Sequence, residues 1–256
     1  MLAKSYPFRP DVAIPWEHLR GPDSALPNRP HVPYVIERFP PGFVLPRHNH
    51  FESHVSVILE AGVFQCGYSG RFHLEPGDVL IQPTLDRHQS SAFASRDARV
   101  LHLPWTFEPG LGGVFRVNSI DVVIHTASRD PWRAAGELAD SIGDAQNVPA
   151  PILDWVEMLA DDLRREPVRI NIWAEQHGLA RETVARGFQR AFGVSPSAFG
   201  SELRARRAWA RTITTRAPLA GIAVDCGFAD ESHMTRAVHA LTGLPPDAWR
   251  RHLARI

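Results

Sequence analysis

Apolar and polar positions follow two different periods along this chain. Between residues 34 and 125 the apolar residues come in short runs, "HVSVIL", "VFQCGY", "DVLIQ", "RVLHL" and "DVVIH", separated by Gly, Pro and Asp turns. Runs of this length and spacing predict strands of an all-β sandwich or small barrel. The preceding stretch is crowded with prolines, among them Pro7, Pro10, Pro15, Pro22, Pro27, Pro30, Pro33, Pro40, Pro41 and Pro46. Pro lacks a backbone N–H and fixes φ, so residues 1–46 are expected to supply an arm and edge structure rather than helix.

After "SRDP" at 128–131 the period lengthens to that of a helix. In "PILDWVEMLADDLRR", residues 151–165, Ile152, Val156, Leu159 and Leu163 recur at spacings of three and four, with Pro151 suited to a helix start. Such a stripe must be covered, either by the protein's own core or by a second copy at a dimer seam. From 168 onward the chain reads as helices joined by Gly-containing turns, and it repeats. Ala174 and Gly178 are echoed by Ala223 and Gly227, and "GVSP" at 193–196 by "GLPP" at 243–246. The offsets are 49 and 50, so the second copy carries one extra residue.

In each copy a small Ala lies four residues before a Gly, where two helices can cross closely and the chain can turn sharply. A second helix follows each turn, with Val184 and Phe188 as core in the first copy and Met234, Val238 and Leu241 in the second. The opposite faces are polar, as a helix that enters the DNA major groove requires. Between the copies, "SAFGSELRARRAWARTI" would form a helix of about 25 Å. That length allows the two units to stand about 34 Å apart, one turn of DNA.

Charge strengthens this reading. Residues 1–167 hold 15 basic and 21 acidic side chains, a net −6, while the remaining 89 hold 13 and 7, a net +6. The formal total of zero hides a basic C-terminal third suited to a polyanion. At 256 residues, 44% hydrophobic and 22% charged, the chain has the length of two globular domains and no fibrous or disordered character. No apolar run matches a signal peptide or a membrane span, so a cytoplasmic location without membrane contact is expected. Cys66 and Cys226 are too far apart in sequence to suggest a disulfide framework and are expected as buried small residues.

Residues 168–252 resemble the AraC/XylS family of bacterial transcription regulators, the segment "IAVDCGFADESHMTRAVHALTGLPPDAWR" at 222–250 most closely. The resemblance implies double-stranded DNA as partner. It places Glu182, Ala185 and Arg186 on the groove face of the first reading helix, and Glu231, Ser232, Thr235 and Arg236 on that of the second. Arg can read guanine through two hydrogen bonds, Glu can accept from cytosine, and Ser or Thr suits several base edges. For Arg236 a phosphate clamp or an ion pair is the competing role. The chain departs from the family at Ala180, where Ser usually caps the helix, at Met234 and Val238 in place of aromatic core residues, and at Pro245.

"RHNHFESH", residues 47–54, holds three histidines. Residues 42–62 and 77–88 resemble the paired motifs of cupins, β-barrels that hold a metal on three His and one Glu. The resemblance makes His48, His50, His54 and His88 the candidate ligands. His54 stands where cupins usually have Glu, and Leu85 where they have Gly. Residues two, four or six apart on a strand share a face, so His48, His50 and His54 can all point inward. A set of four imidazoles suits Zn, Ni, Cu or Fe(II). The competing role is hydrogen-bonded core or direct contact with an effector. Glu52 shares the parity but no family ligand position.

The expected fold is α+β and multidomain: a cupin-like β-barrel (double-stranded β-helix) at 1–127 with its arm, a helical connector and candidate dimerisation helix at 128–167, and an all-α double helix-turn-helix at 168–256. The expected function is a transcription regulator, not an enzyme, that binds DNA under control of a small-molecule effector or metal, as a monomer or homodimer. The alternative is a cupin metalloenzyme of dioxygenase or isomerase type with a helical accessory domain.

Overall fold

The computed structural model describes residues 35–50, 53–93, 95–105, 113–117, 120–142 and 154–253. They fall into two compact units divided between Ile152 and Leu153. The arm through residue 34, Glu52, Pro151 and Ile152 lie outside the described residues.

The described residues of the first unit form nine strands: β1 (Val35–Phe39), β2 (Val44–His48), β3 (His54–Glu60), β4 (Val63–Gly67), β5 (Gly70–Leu74), β6 (Asp78–Gln82), β7 (His88–Ala92), β8 (Ala98–Pro104) and β9 (Gly113–Arg116). They pair antiparallel in two sheets, β1-β8-β3-β6-β9 and β2-β7-β4-β5. The first eight have the strand order of a jelly roll, the double-stranded β-helix expected from the sequence. Ile58, Val63, Leu74, Leu80 and Val100 fill the space between the sheets.

The run "DVVIH" is helical, which corrects its reading as a strand. It lies in α1 (Ile120–Ala127), which is followed by α2 (Pro131–Ile142). Ile120, Val123, Ile124 and Ala127 fall at helical spacing, and this face packs with Ala134, Ala135 and Leu138 of α2 on Val55, Val57, Leu101 and Leu103. Tertiary burial of that stripe overrides the strand preference of the β-branched residues. The two helices thus cover the outer face of the larger sheet, which explains why β3 is buried on both faces for most of its length.

Two turns of the cupin-like motif keep a left-handed backbone without glycine. Ala61 has φ 55° and Leu85 φ 58°. For L-residues this conformation costs about 1–2 kcal/mol, and the surroundings hold it. Leu85 is fully buried, and its N–H donates to the His50 carbonyl at 2.9 Å. Beside it, the Asp86 carboxylate accepts from Tyr68 N–H at 2.8 Å and from Ser69 Oγ at 3.0 Å.

The described residues of the second unit form helices only: α3 (Trp155–Arg165), α4 (Ile170–Gln176), α5 (Arg181–Phe192), α6 (Pro196–Thr214), α7 (Leu219–Asp225), α8 (Glu231–Thr242) and α9 (Pro246–Leu253). At 19 residues, α6 spans about 28 Å. Ser195 caps it, and Phe199, Leu203, Ala208 and Trp209 are buried from it. Phe188, Phe192 and Phe199 form one aromatic cluster, and Trp209 meets Trp249 at 6.0 Å.

Of the two covers weighed for the 151–165 stripe, the structure supplies the intramolecular one. Val156, Leu159, Ala160 and Leu163 of α3 are buried within the helical unit, so the described part of the stripe is covered without a second copy. Two glycines within helices make the sockets. A Cβ at Gly187 of α5 would lie 2.5 Å from the Trp155 ring, and one at Gly200 of α6 would lie 3.3 Å from Leu163. Arg164 and Glu157 also form a buried ion pair at 2.7 Å.

The N-caps of α5 and α8 differ. Asp230 caps α8 by accepting from His233 N–H at 2.6 Å, whereas Ala180 gives α5 no side-chain cap. Ala180→Ser is expected to stabilise the helical unit by about 1 kcal/mol, checked by urea unfolding. An unchanged midpoint would mean that water already satisfies those N–H groups.

Candidate functional site

The sequence repeat becomes a geometric one in the second unit. Gly178 and Gly227 end α4 and α7 at φ 64° and 75°, and Leu179 and Phe228 each return a backbone bond of 2.9 Å to Ala174 and Ala223. Gly193 and Gly243 end α5 and α8, again left-handed. The capping residues Ala180 and Asp230 lie 50 apart, so the extra residue of the second copy falls in the turn just ahead of Asp230.

Burial along α5 from Arg181 to Arg190 matches burial along α8 from Glu231 to Ala240 at every position except the third. Val184 and Phe188 are buried in the first helix, Met234 and Val238 in the second. On the opposite faces Glu182, Arg186, Glu231, Ser232 and Arg236 are exposed, and Ala185 and Thr235 are half-buried beside them. Thus all seven residues singled out from the sequence lie on the open sides of two equivalent helices. Gln189 and Arg190 extend the first face, and His239 the second. The helical spacing of these three gave a signal that the carry-over of family contacts missed.

In the first unit a cavity of about 340 Å³ opens between the two sheets. His48, His50, His54 and His88 line one end of it. His48, His50 and His54 do not share one strand, as parity suggested: His48 ends β2, His50 lies in the connection after β2 and His54 begins β3, while His88 begins β7. Closure of the sandwich brings them together. The potential ligand atoms of His48, His50 and His88 lie within 4.8 Å of one another. His54 stands beside this group, its ring centroid 4.4 Å from His50 and 6.4 Å from His88.

The donor set fits a metal. His48 Nδ1 donates to the Pro46 carbonyl at 2.8 Å, and His88 Nδ1 to the Asp86 carbonyl at 2.9 Å. Carbonyl oxygens only accept, so both protons are assigned to Nδ1 and each Nε2 carries the lone pair, which a metal would take in place of its present hydrogen bond. His48 Nε2 and His50 Nε2 are 3.1 Å apart, close to the ~3.3 Å between two nitrogens on a tetrahedral zinc. Burial, then the charges of His48 and His50, push the His88 pKa well below 6.5. Its ring is therefore neutral at neutral pH, as a ligand must be. Gln82 Nε2 donates to His88 Nε2 at 2.8 Å, so a metal would replace that hydrogen bond.

Beyond the histidines, Ser56, Gln82, His102 and Glu37 also face the cavity. They come from four strands, so no local motif marks them. Period-two spacing of His54, Ser56 and Ile58 along β3 is the one sequence signal for their shared inner face.

The family model described as a helix-turn-helix domain matches residues 173–252. A protein of Streptomyces lividans, named as an AraC-like transcription regulator, is 27% identical over 118 residues, 42% of this chain and 39% of that one. The chain thus spans about two fifths of the length of this curated relative. Among solved structures, fatty-acid-bound ToxT of Vibrio cholerae is 10% identical, with 93% of this chain and 99% of that one covered at a TM-score of 0.39. An AraC-family regulator of Rhodopseudomonas palustris is 23% identical, with 38% and 92% covered at a TM-score of 0.34. The duplicated helices and the matched residues together make residues 173–252 of this chain a helix-turn-helix domain.

Proposed function

We infer that this protein is a cytoplasmic transcription regulator in which α5 and α8 read double-stranded DNA and the β-sandwich senses a small molecule or a metal. The single observation that carries the reading is the matched pair of helices with polar faces left open. Arg186 and Arg236 supply the cations, Glu182 and Glu231 the acceptors, and Ser232 and Thr235 the adaptable hydroxyls. Among the described residues no helix is long and apolar enough to cross a membrane.

Selection of bound sequences from random or genomic DNA tests this. The full chain should enrich a defined site, and Arg186→Ala should cost about 1–3 kcal/mol while relaxing the preference at one position. A uniform loss over all sequences would make Arg186 a phosphate contact. Failure to enrich any site would overturn the regulator reading. Turnover of a substrate at the histidines would instead favour a metalloenzyme.

For the sensor, His48, His50 and His88 would hold a divalent transition metal, with His54 as a neighbouring fourth imidazole. Protein purified without chelator or metal-affinity tag should carry about one equivalent, and His50→Ala should lose it while the helical unit keeps its fold. Elemental analysis that finds no metal would assign the histidines to direct contact with an organic effector.

A further inference from the structure

We propose that Gln65 and Ser90 form a hydroxyl-binding subsite in the sandwich cavity, which makes the effector a small neutral alcohol with an apolar body. The proposal rests on reading the sandwich as a sensor and does not require a metal on the histidines.

Strand register places the pair. Gly67, Gln65 and Val63 alternate along one face of β4, and His88, Ser90 and Ala92 along the paired face of β7, with Gln65 opposite Ser90 and Val63 opposite Ala92. One end of this face lies by the histidines, where a Cβ at Gly67 would stand 2.8 Å from His88 Cβ. The other end joins the apolar core at Val63 and Ala92. Gln65 and Ser90 therefore stand between the two, and both line the cavity.

Elsewhere in the cavity the polar side chains are linked in a chain. Gln82 Nε2 donates to His88 Nε2 at 2.8 Å, Ser56 donates to Gln82 Oε1 at 3.0 Å, and Ser56 Oγ lies 3.0 Å from His102 Nδ1. Among the described residues, the side chains of Gln65 and Ser90 bond only to each other, the Ser90 hydroxyl donating to Gln65 Oε1. Gln65 is only 6% exposed. An amide buried this deeply calls for a partner on its second atom too, and the open side faces the cavity.

The pair offers a donor and an acceptor whichever way the amide is turned. In the orientation above, Gln65 Nε2–H donates to the cavity and Ser90 Oγ accepts from it. With Oε1 and Nε2 exchanged, Nε2 donates to Ser90 Oγ, which leaves Oε1 to accept and the Ser90 hydroxyl to donate. A ligand hydroxyl carries both functions on one oxygen and so satisfies both partners. A carboxylate only accepts and an ammonium only donates, so each leaves one partner unmet. Among the described residues, no Lys or Arg lines the cavity to balance a carboxylate.

Ile58, Leu74, Leu80 and Val100 give the body of the ligand apolar walls. A volume of about 340 Å³ is at the small end of ligand pockets and suits one ring or a short chain.

Isothermal titration of the full chain tests this with 2-phenylethanol, ethylbenzene, 3-phenylpropionate and 2-phenylethylamine, on the protein as purified and again with EDTA. The alcohol should bind saturably in both conditions, and each of the other probes at least about tenfold more weakly. Gln65→Leu removes the amide at similar volume, so it should weaken the alcohol by about tenfold while ethylbenzene binds as well or better. Ser90→Ala should narrow the same gap and serves if the first variant does not fold.

No saturable alcohol binding, equal binding of any other probe, or an alcohol preference unchanged by both substitutions would overturn the proposal. So would binding that EDTA abolishes, since the hydroxyl would then sit on a metal at the histidines. DNA binding measured on the same preparation separates the subsite from the regulator reading. A chain that selects a DNA site but ignores the alcohol overturns only the subsite. One that binds the alcohol but selects no DNA overturns the regulator and leaves the subsite standing.

Discussion

Leu159→Glu is expected to unfold the helical unit, at a cost of about 4 kcal/mol or more. Leu159 is fully buried in α3, between the Trp155 socket at Gly187 and the Leu163 contact at Gly200. A carboxylate there would be desolvated, and the nearby Arg164 is already paired with Glu157. The same packing predicts that a fragment starting at residue 154 folds, while one starting at 168 lacks α3 and exposes the surfaces it covers. Urea unfolding followed by circular dichroism reads both comparisons. A soluble Leu159→Glu protein with an unshifted midpoint would mean that α3 does not belong to this core.

Salt should weaken DNA binding steeply. The C-terminal 89 residues carry a net +6, and neutralising about six phosphates gives a slope of about −5 in log affinity against log salt. Between about 50 and 200 mM salt the affinity should then fall about 10³-fold. Titration of fluorescent duplex DNA at several salt concentrations measures the slope. A slope near zero would remove the phosphate contacts, and with them the assignment of the polar faces of α5 and α8.

These two tests bear on features that differed in how far the sequence disclosed them. The duplicated unit was plain because both of its signals are local: a small residue four before a glycine, and an apolar stripe at helical spacing. The partner of the α3 stripe was not, because amphipathicity says that a face is buried and not by what. Gly187 and Gly200 held that information, but a glycine within a helix discloses its role only when its neighbour is known. "DVVIH" is ambiguous for a related reason. β-Branched residues favour strands, and the stripe from Ile120 to Ala127 becomes decisive only when a sheet lies beneath it.

The histidines divide in the same way. Their number and type were visible in "RHNHFESH", whereas their arrangement follows from three strands meeting. His48, His50 and His88 converge at 4.8 Å or less while His54, nearer in sequence, stands to one side. The Ser56, Gln82, His102 and Glu37 chain was invisible to motif reading, since its members are contributed by β3, β6, β8 and β1.

If α5 and α8 read DNA as proposed, their duplication has a further consequence for orientation on the duplex. A homodimer with one reading helix per chain recognises a palindrome and looks the same from either end. Here the two helices belong to one polypeptide and present different side chains, Glu182, Ala185 and Arg186 against Glu231, Ser232, Thr235 and Arg236. Turning the chain end for end on the duplex exchanges those sets, so its binding site has a left and a right. A copy bound in this way would lie in one direction only along the duplex.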